Sequence, residues 1–364
     1  MVIIAGLFIL YLCLMLVAIS GFTRTIKPSK SCGSDSFITL IIPYRNEENR
    51  IQNLLFSLEN QKDTSSISKI IFVDDHSTDS SRAQVNNWIT KQDLNCESHF
   101  LDQYHGKKRA IDLGVQNSLS EFVMIMDSDI SFKDVFFSAI KKNIDLSHDF
   151  FLTSVIERSG VIWSRISSCS ISVISLGMAS LGIPILANGA GLIFRRKCYN
   201  ELNPFHSNFH IHSGDDMYLL NSFSANKKSI KTLFNKNLII ETQGSKSVQD
   251  MIVRSLRWSG KMKMKGLLAT KIVGLLVVVC NLSIVPLLVL SIFNFQWLFL
   301  FISLVKLLPD LFVLIVGSFF YKEKYLWRYS LPMFFLYPFI LLVIIFLQAI
   351  KYKVMWKERA LLNI

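Results

Sequence analysis

Ile70–Ser81, "IIFVDDHSTDSS", is an apolar run that stops abruptly at two adjacent carboxylates, Asp74 and Asp75, and continues in small hydroxyl residues. Its first half has the β-branched and aromatic character of a buried strand, and its second half has the polar character of a turn leading into a helix. The spacing predicts a strand over Lys69 to Val73 and a helix after Asp79, with Ser77, Thr78 or Asp79 as the capping side chain. The same grammar flanks it on both sides. "FITLIIPYRNEENRIQNLLFSLENQ" predicts a strand over Phe37 to Ile42 that stops at Pro43, then a helix with Ile51, Leu54, Leu55 and Leu58 on one face. "GKKRAIDLGVQNSLS" predicts a helix that runs into the strand "FVMIMDSD". Strands alternating with helices indicate βαβ units, an α/β class and a mostly parallel, Rossmann-like sheet, in which ligands gather at the carboxyl ends of the strands.

Asp74, Asp75, Asp127 and Asp129 all fall at such strand ends. The D-x-D step of Asp127 and Asp129 can aim two carboxylates at one hard cation, Mg²⁺ or Mn²⁺, whose shell is completed by water and phosphate oxygens. A capped turn is the alternative. No G-x-x-x-x-G-K-[ST] loop and no G-x-G-x-x-G follows a strand, so another element must hold any phosphate.

Outside this segment the chain is too apolar for an ordinary soluble protein: 51% of its 364 residues are hydrophobic and the mean hydropathy is +0.38. Val2 to Gly21 carries no charge and is long enough to cross a bilayer. The charges Arg24, Lys27 and Lys30 follow it, which argues against a cleaved leader and puts the next segment in the cytoplasm. Further apolar runs span Leu267 to Phe293, Phe295 to Tyr321 and Tyr329 to Ile350. The expected order is a membrane helix over 1–22, a globular domain over 30–265, a membrane bundle over 266–351 and a basic tail over 352–364. Three full C-terminal spans would leave that basic tail outside, so one segment is expected to be re-entrant or interfacial. "WSRISSCSISVISLGMASLGIP", apolar but rich in serine, reads as an interfacial helix rather than a span. Lys306 and Asp310, four apart across Pro309, read as an ion pair inside a kinked helix.

The net charge of +12 is concentrated where helices would meet the membrane, which favours anionic headgroups and excludes nucleic acid as the partner. Six cysteines without a C-x-x-C pair read as free thiols of a reducing compartment. His206, His210 and His212 read as a loop over the site and not as a zinc set.

"LIIPYRNEE", "IIFVDDHSTDSS", "GKKRAID", "MDSDISF", "NGAGLIFRR", "GDDMYLL" and "RSLRW" occur in the order and rough spacing of membrane-bound family-2 glycosyltransferases, and the chain resembles that family from about Phe37 to Lys261. The resemblance implies a GT-A catalytic domain that takes a nucleotide-sugar donor, UDP-linked, and glycosylates a lipid or lipid-linked acceptor with inversion at the cytoplasmic membrane face. It implies that Pro43, Asn46 and Glu47 line the nucleotide pocket and that Asp74 or Asp75 bonds the base or ribose, with the other acid structural. Lys107, or else Lys108, contacts the diphosphate. Asp127 approaches the sugar or ribose, and Asp129, with Asp127, holds the metal. Asp216 is the expected base, with Asp215 the alternative, and helix-dipole partners are the bland reading of both. Arg257 pairs with the diphosphate and Trp258 walls the pocket or stacks on the acceptor. Arg254 stands where many members carry Gln, a departure that weakens processive synthesis. A processive polysaccharide synthase and a non-catalytic nucleotide-binding scaffold are the competing readings.

Overall fold

The computed structural model describes residues 2–24, 37–211, 213–260, 268–293 and 297–352, with two short pieces at 355–356 and 359–360. The expected borders at residues 30, 265 and 266 and the side chain of His212 lie outside the described residues, as do Lys357 and Glu358 of the tail.

After a long apolar helix α1 (Val2–Thr23), the chain lays down β1 (Ile38–Tyr44), α2 (Ile51–Glu59), β2 (Ile67–Asp74), α3 (Ser81–Ile89), β3 (Cys96–Phe100), α4 (Lys107–Gln116) and β4 (Phe122–Met126). It continues through β5 (Ile130–Ser131), α5 (Phe136–Asn143), β6 (Phe150–Leu152), β7 (Ser154–Glu157), α6 (Ile162–Ser180), β8 (Gly191–Arg195), α7 (Arg196–Leu202) and α8 (Asp215–Ala225). Next come β9 (Ile230–Thr232), β10 (Ile239–Thr242) and α9 (Val248–Gly260), followed by the apolar helices α10 (Leu268–Leu282), α11 (Ile284–Phe293), α12 (Trp297–Tyr321) and α13 (Ser330–Ala349).

Seven strands form the main sheet in the order β3-β2-β1-β4-β8-β6-β9, and β5-β10-β7 form a smaller one. The first four strands pair in parallel, as their apolar runs predict, whereas β8 runs antiparallel to both β4 and β6. That reversal has a use: Gly191, the first residue of β8, lies opposite Met126, the last of β4. The start of β8 therefore meets the carboxyl ends of β1, β2 and β4 at one edge. The central strands Leu40–Ile42, Ile70–Val73 and Phe122–Met126 are fully buried on both faces. Each such side chain contributes about 1.5–3 kcal/mol through burial, which fixes the strand positions from which the site loops depart. The apolar face of α2 is the expected one, with Ile51, Leu54, Leu55 and Leu58 buried.

Two local expectations are corrected. Strand β1 does not stop at Pro43 but continues to Tyr44, in register with Val73 and Asp74 of β2. Its pairing with β4 has ended at Ile41, so Pro43 sits where the strand has one neighbour and its missing N–H costs no ladder bond. The residue flanking α3 is Ser80, whose side chain makes no capping bond; Asp79 instead accepts from the Ser81 amide at 2.9 Å.

Among the described residues, five helices are long and apolar enough to cross a membrane: Ile3–Thr23, Ile162–Ser180, Leu268–Phe293, Trp297–Tyr321 and Leu326–Ala349. Helix α6, the second of these, is flanked by β7 of the smaller sheet and β8 of the main one, and most of it is buried. Glycines seat it between α1 and α12: a Cβ on Gly177 would lie 2.0 Å from the Ala18 carbonyl oxygen, and one on Gly317 would lie 2.3 Å from Cys169 Sγ. Within the bundle, Lys306 is 2% exposed, pairs with Asp310 and donates to Asn281 Oδ1 at 2.6 Å, while Tyr11 donates to Asp310 Oδ1 at 2.6 Å. The expected ion pair is thus present, joining α1, α10 and α12.

Helix α12 ends against the globular domain. Arg158 donates to the Tyr321 carbonyl at 2.6 Å and to Glu323 at 2.9 Å, and Arg165 pairs with the same glutamate. Helix α13 touches that domain at its far end too: Leu256 of α9 packs with Ile344, and Ser259 accepts from Gln348.

Candidate active site

The loops after β1 and β2 are stitched together by the residues that follow the two opening acids. Asn46 Oδ1 accepts from the Thr78 amide at 2.9 Å, the Glu47 amide donates to Ser81 Oγ at 2.7 Å, and the Glu48 amide donates to Asp79 Oδ2 at 3.1 Å. Burial alone would raise the Asp79 carboxyl, but the bonds it accepts from Ser81 and Glu48 outweigh this and hold it below its ordinary range. Asp74 turns back on its own loop and accepts from the Ser77 amide at 2.9 Å. Asp75 accepts from the Gly106 amide at 3.0 Å and faces a cavity.

That cavity, about 250 Å³, opens at the shared strand edge. Pro43, Glu47, Asp75, Lys107, Asp127, Asp129, Asp215, Asp216, Arg257 and Trp258 all line it. Asn46 and Asp74 do not. Asn46 has φ +48° and is spent on the loop, and Asp74 precedes Asp75 on a strand where successive side chains face opposite ways. Asn46 as a lining residue is therefore corrected, and of the two opening acids Asp75 is the one that reaches the cavity.

Lys107, at the start of α4, donates to Asp127 Oδ1 at 2.6 Å and lies 3.0 Å from Asp215 Oδ2. Burial works against its charge, yet the two carboxylates prevail and raise it well above the ordinary lysine value. Asp127 is pushed upward by burial, with Lys107 pulling the other way. The approach is close because residue 189 is glycine: a Cβ there would lie 3.1 Å from Asp215 Oδ2 and 3.2 Å from Lys107 Nζ. Asp129 pairs with Arg50 at 3.1 Å, and Arg50 reaches Glu47 at 2.7 Å. Lys108 points elsewhere. It is buried, donates to the Asn208 carbonyl at 3.0 Å and side chain at 2.8 Å, and sits 3.9 Å from the Tyr218 ring centre. Burial pushes it down to about 8, against the pull of Asp215 and Asp216. His206 and His210 lie exposed on the same loop as Asn208.

Helix α9 brings Arg254, Arg257 and Trp258 to the opposite wall. Arg254 pairs with Glu157, a carboxylate 3% exposed at the exit of β7, and donates to the Gln243 carbonyl at 3.3 Å. Glu157 is raised by burial. Arg257 is lowered, first by burial and then by Arg254 beside it. Glu157 and Arg50 were not among the expected site residues. Glu157 sits at a strand exit, as Asp75 and Asp127 do, so the strand-exit rule would have found it; Arg50 has no signal of its own in the sequence.

Among the described residues, the lining carries seven carboxylates against five lysine and arginine cations. An all-oxygen set with surplus negative charge fits a hard divalent ion, and Asp127 and Asp129, already drawn onto cationic partners, are the groups that would hold it.

The model for glycosyl transferase family 2 matches residues 39–228, just over half of the chain and most of the wall described above. No curated protein matches the chain in sequence. Among solved structures, a mannosyltransferase from Pyrobaculum calidifontis in complex with GDP-Man and Mn²⁺ is similar over 93% of both chains, at 15% identity and a TM-score of 0.58, a likeness of fold. Residues 1–349 of TarS from S. aureus match 89% of this chain and 95% of their own, at 16% identity and a TM-score of 0.44. Glucosyl-3-phosphoglycerate synthase from Mycobacterium tuberculosis, with Mn²⁺, UDP and glucosyl-3-phosphoglycerate, matches 66% of this chain and 84% of its own, at 14% identity and a TM-score of 0.45. With its GT-A-like α/β domain and the family match across half its length, the chain belongs to glycosyl transferase family 2.

Proposed function

We propose that this chain is an inverting, metal-dependent hexosyltransferase that moves a sugar from a nucleoside diphosphate donor, UDP-linked, to a lipid or lipid-linked acceptor at the cytoplasmic membrane face. The observation that carries the reading is one cavity bordered by Asp127 and Asp129 from β4, Asp215 and Asp216 from α8, and Arg257 and Trp258 from α9, with Lys107 tied to two of the acids.

Asp75 reads the base or ribose, beside Pro43 and Glu47. Lys107 and Arg257 face the diphosphate, where a guanidinium can fork onto phosphate oxygens. Asp129, with Asp127, would hold Mg²⁺ or Mn²⁺, which when bound neutralises the departing diphosphate. Asp216 takes the proton of the attacking hydroxyl, because Asp215 already accepts the Lys107 ammonium. Trp258 walls the acceptor side. Arg254, neutralised by Glu157, has a partner of its own and is left out of the donor contacts.

The bundle contacts support a topology that removes the charge conflict of the tail. Helix α12 ends on Arg158 of the catalytic domain, so α10 to α12 go out and come back. Helix α13 starts beside that end and finishes against α9, which suits a helix lying along the membrane surface and leaves the basic tail inside.

The test is nucleoside diphosphate release by the detergent-solubilised protein with UDP- and GDP-sugars, Mg²⁺ or Mn²⁺ and lipid extract, with Asp216→Asn as control. Lipid-dependent release from one donor that the control lacks is the expected result. Release unaffected by Asp216→Asn would overturn the assignment of the base, and long polymer as product would favour a synthase.

A further inference from the structure

A second cluster of metal-ligating groups lies at the nucleotide end of the cavity, away from Asp127 and Asp129. Asp75 Oδ1 is 3.4 Å from His76 Nδ1, His76 Nδ1 is 3.0 Å from His105 Nδ1, and all three ligand atoms lie within 4.8 Å of one another. Ligand atoms around tetrahedral zinc, each about 2.0–2.1 Å from the ion, are about 3.3 Å apart, so the two short edges already have the size of such a shell.

The outer contacts fix which atoms face inward. His76 Nε2 is 3.3 Å from the Asp102 carbonyl oxygen. A carbonyl only accepts, so Nε2 carries a proton and Nδ1 is the ring nitrogen turned toward Asp75 and His105. A ring N–H given to a backbone carbonyl and a carboxylate held by a backbone amide, here that of Gly106, are the usual outer partners of metal ligands. His76 is also held at φ +61°, in the left-handed region.

We propose that Asp75, His76 and His105 form a second cation site, for a zinc-class ion, whose filling takes Asp75 away from the nucleotide. Two imidazoles and one carboxylate select zinc over Mg²⁺, which prefers an all-oxygen shell such as that of Asp127 and Asp129. His105 is exposed and His76 partly so, which gives the ion a path from solvent. The three protein ligands leave a fourth position for water. The competition clause rests on the nucleotide reading of Asp75; the metal site itself does not.

The experiment uses the full chain in detergent, stripped of metal and then held in excess Mg²⁺, titrated with Zn²⁺ by calorimetry in the absence of any nucleotide. Wild type and Asp129→Ala are expected to show the same zinc-binding event. His105→Ala and His76→Gly, the latter suited to the left-handed backbone, are expected to weaken it at least tenfold. Unchanged zinc binding in both histidine variants overturns the site, and so does loss in Asp129→Ala alone, which would put the ion on the D-x-D pair. A second titration follows UDP binding: zinc should weaken it about tenfold in wild type and leave it unaltered in His105→Ala. Zinc bound at the histidines with UDP affinity unchanged would overturn the competition, and with it the seat of the nucleotide at Asp75, independently of whether sugar transfer is observed.

Discussion

Two lysine–aspartate clusters of this molecule, one in the bundle and one in the cavity, are put together with opposite results. In the bundle, Lys306 is met by Asp310 and Asn281, and Asp310 in turn by Tyr11. In the cavity, Lys107 serves two carboxylates at once, and the surrounding wall holds more acids than bases. The first cluster is a closed account of donors and acceptors, which is how a polar group survives among apolar helices. The second is left short of positive charge, which is what a wall awaiting a cation and a diphosphate requires. Charge balance, not burial, separates a pin from a site.

The sharpest way to break this comparison is Asp216→Asn, which should lower turnover by about 10³-fold, within the range for loss of a general base, while the melting temperature stays put. Lys107→Met should cost about 10²-fold in turnover, and added Mg²⁺ should recover the accompanying loss of thermal stability because a divalent ion can replace the missing charge. Lys306→Met should destabilise the chain by about 2 kcal/mol with no recovery in Mg²⁺, as followed by thermal unfolding in detergent. Mg²⁺ rescue of both lysine variants, or of neither, would erase the distinction.

The smallest effect concerns Lys108. Its folded value near 8 lies below the ordinary 10.5, so between those limits the unfolded chain binds the proton that the folded chain has released. The burden of burying this cation is present below pH 8 and lifts as pH rises toward 10.5. Thermal unfolding of wild type should gain on that of Lys108→Met across that window; a constant gap would mean that Lys108 stays charged.

Much of the catalytic layer was legible because buried parallel strands advertise themselves as Ile, Val and Phe runs ending in polar turns. The strand exits carried Asp75, Asp127 and Asp129 to the cavity for the same reason. Which of Asp74 and Asp75 faces inward was not legible, since adjacent strand residues diverge and the choice follows from the pairing of Tyr44 with Asp74. The Glu157–Arg254 pair and the bond from Tyr11 to Asp310 join residues 97 and 299 positions apart, and no local pattern encodes either. Helix α6 has the length and hydropathy of a span, and its serines already set it apart from one; that β7 and β8, strands of the two sheets, flank it only the topology reveals.

Glu323 deserves a last consequence. Because it holds Arg158 and Arg165 of the sugar-transfer layer at the end of α12, a chain cut before α10 should be less stable than the full chain. A fragment ending before the bundle would take Glu323 from Arg165, leave Arg158 with Glu241, and bare the face of α6 that α12 covers. Chimeras built to swap acceptor preference should therefore move α1, α6 and α12 as one cassette, with the glycines at 177 and 317 included.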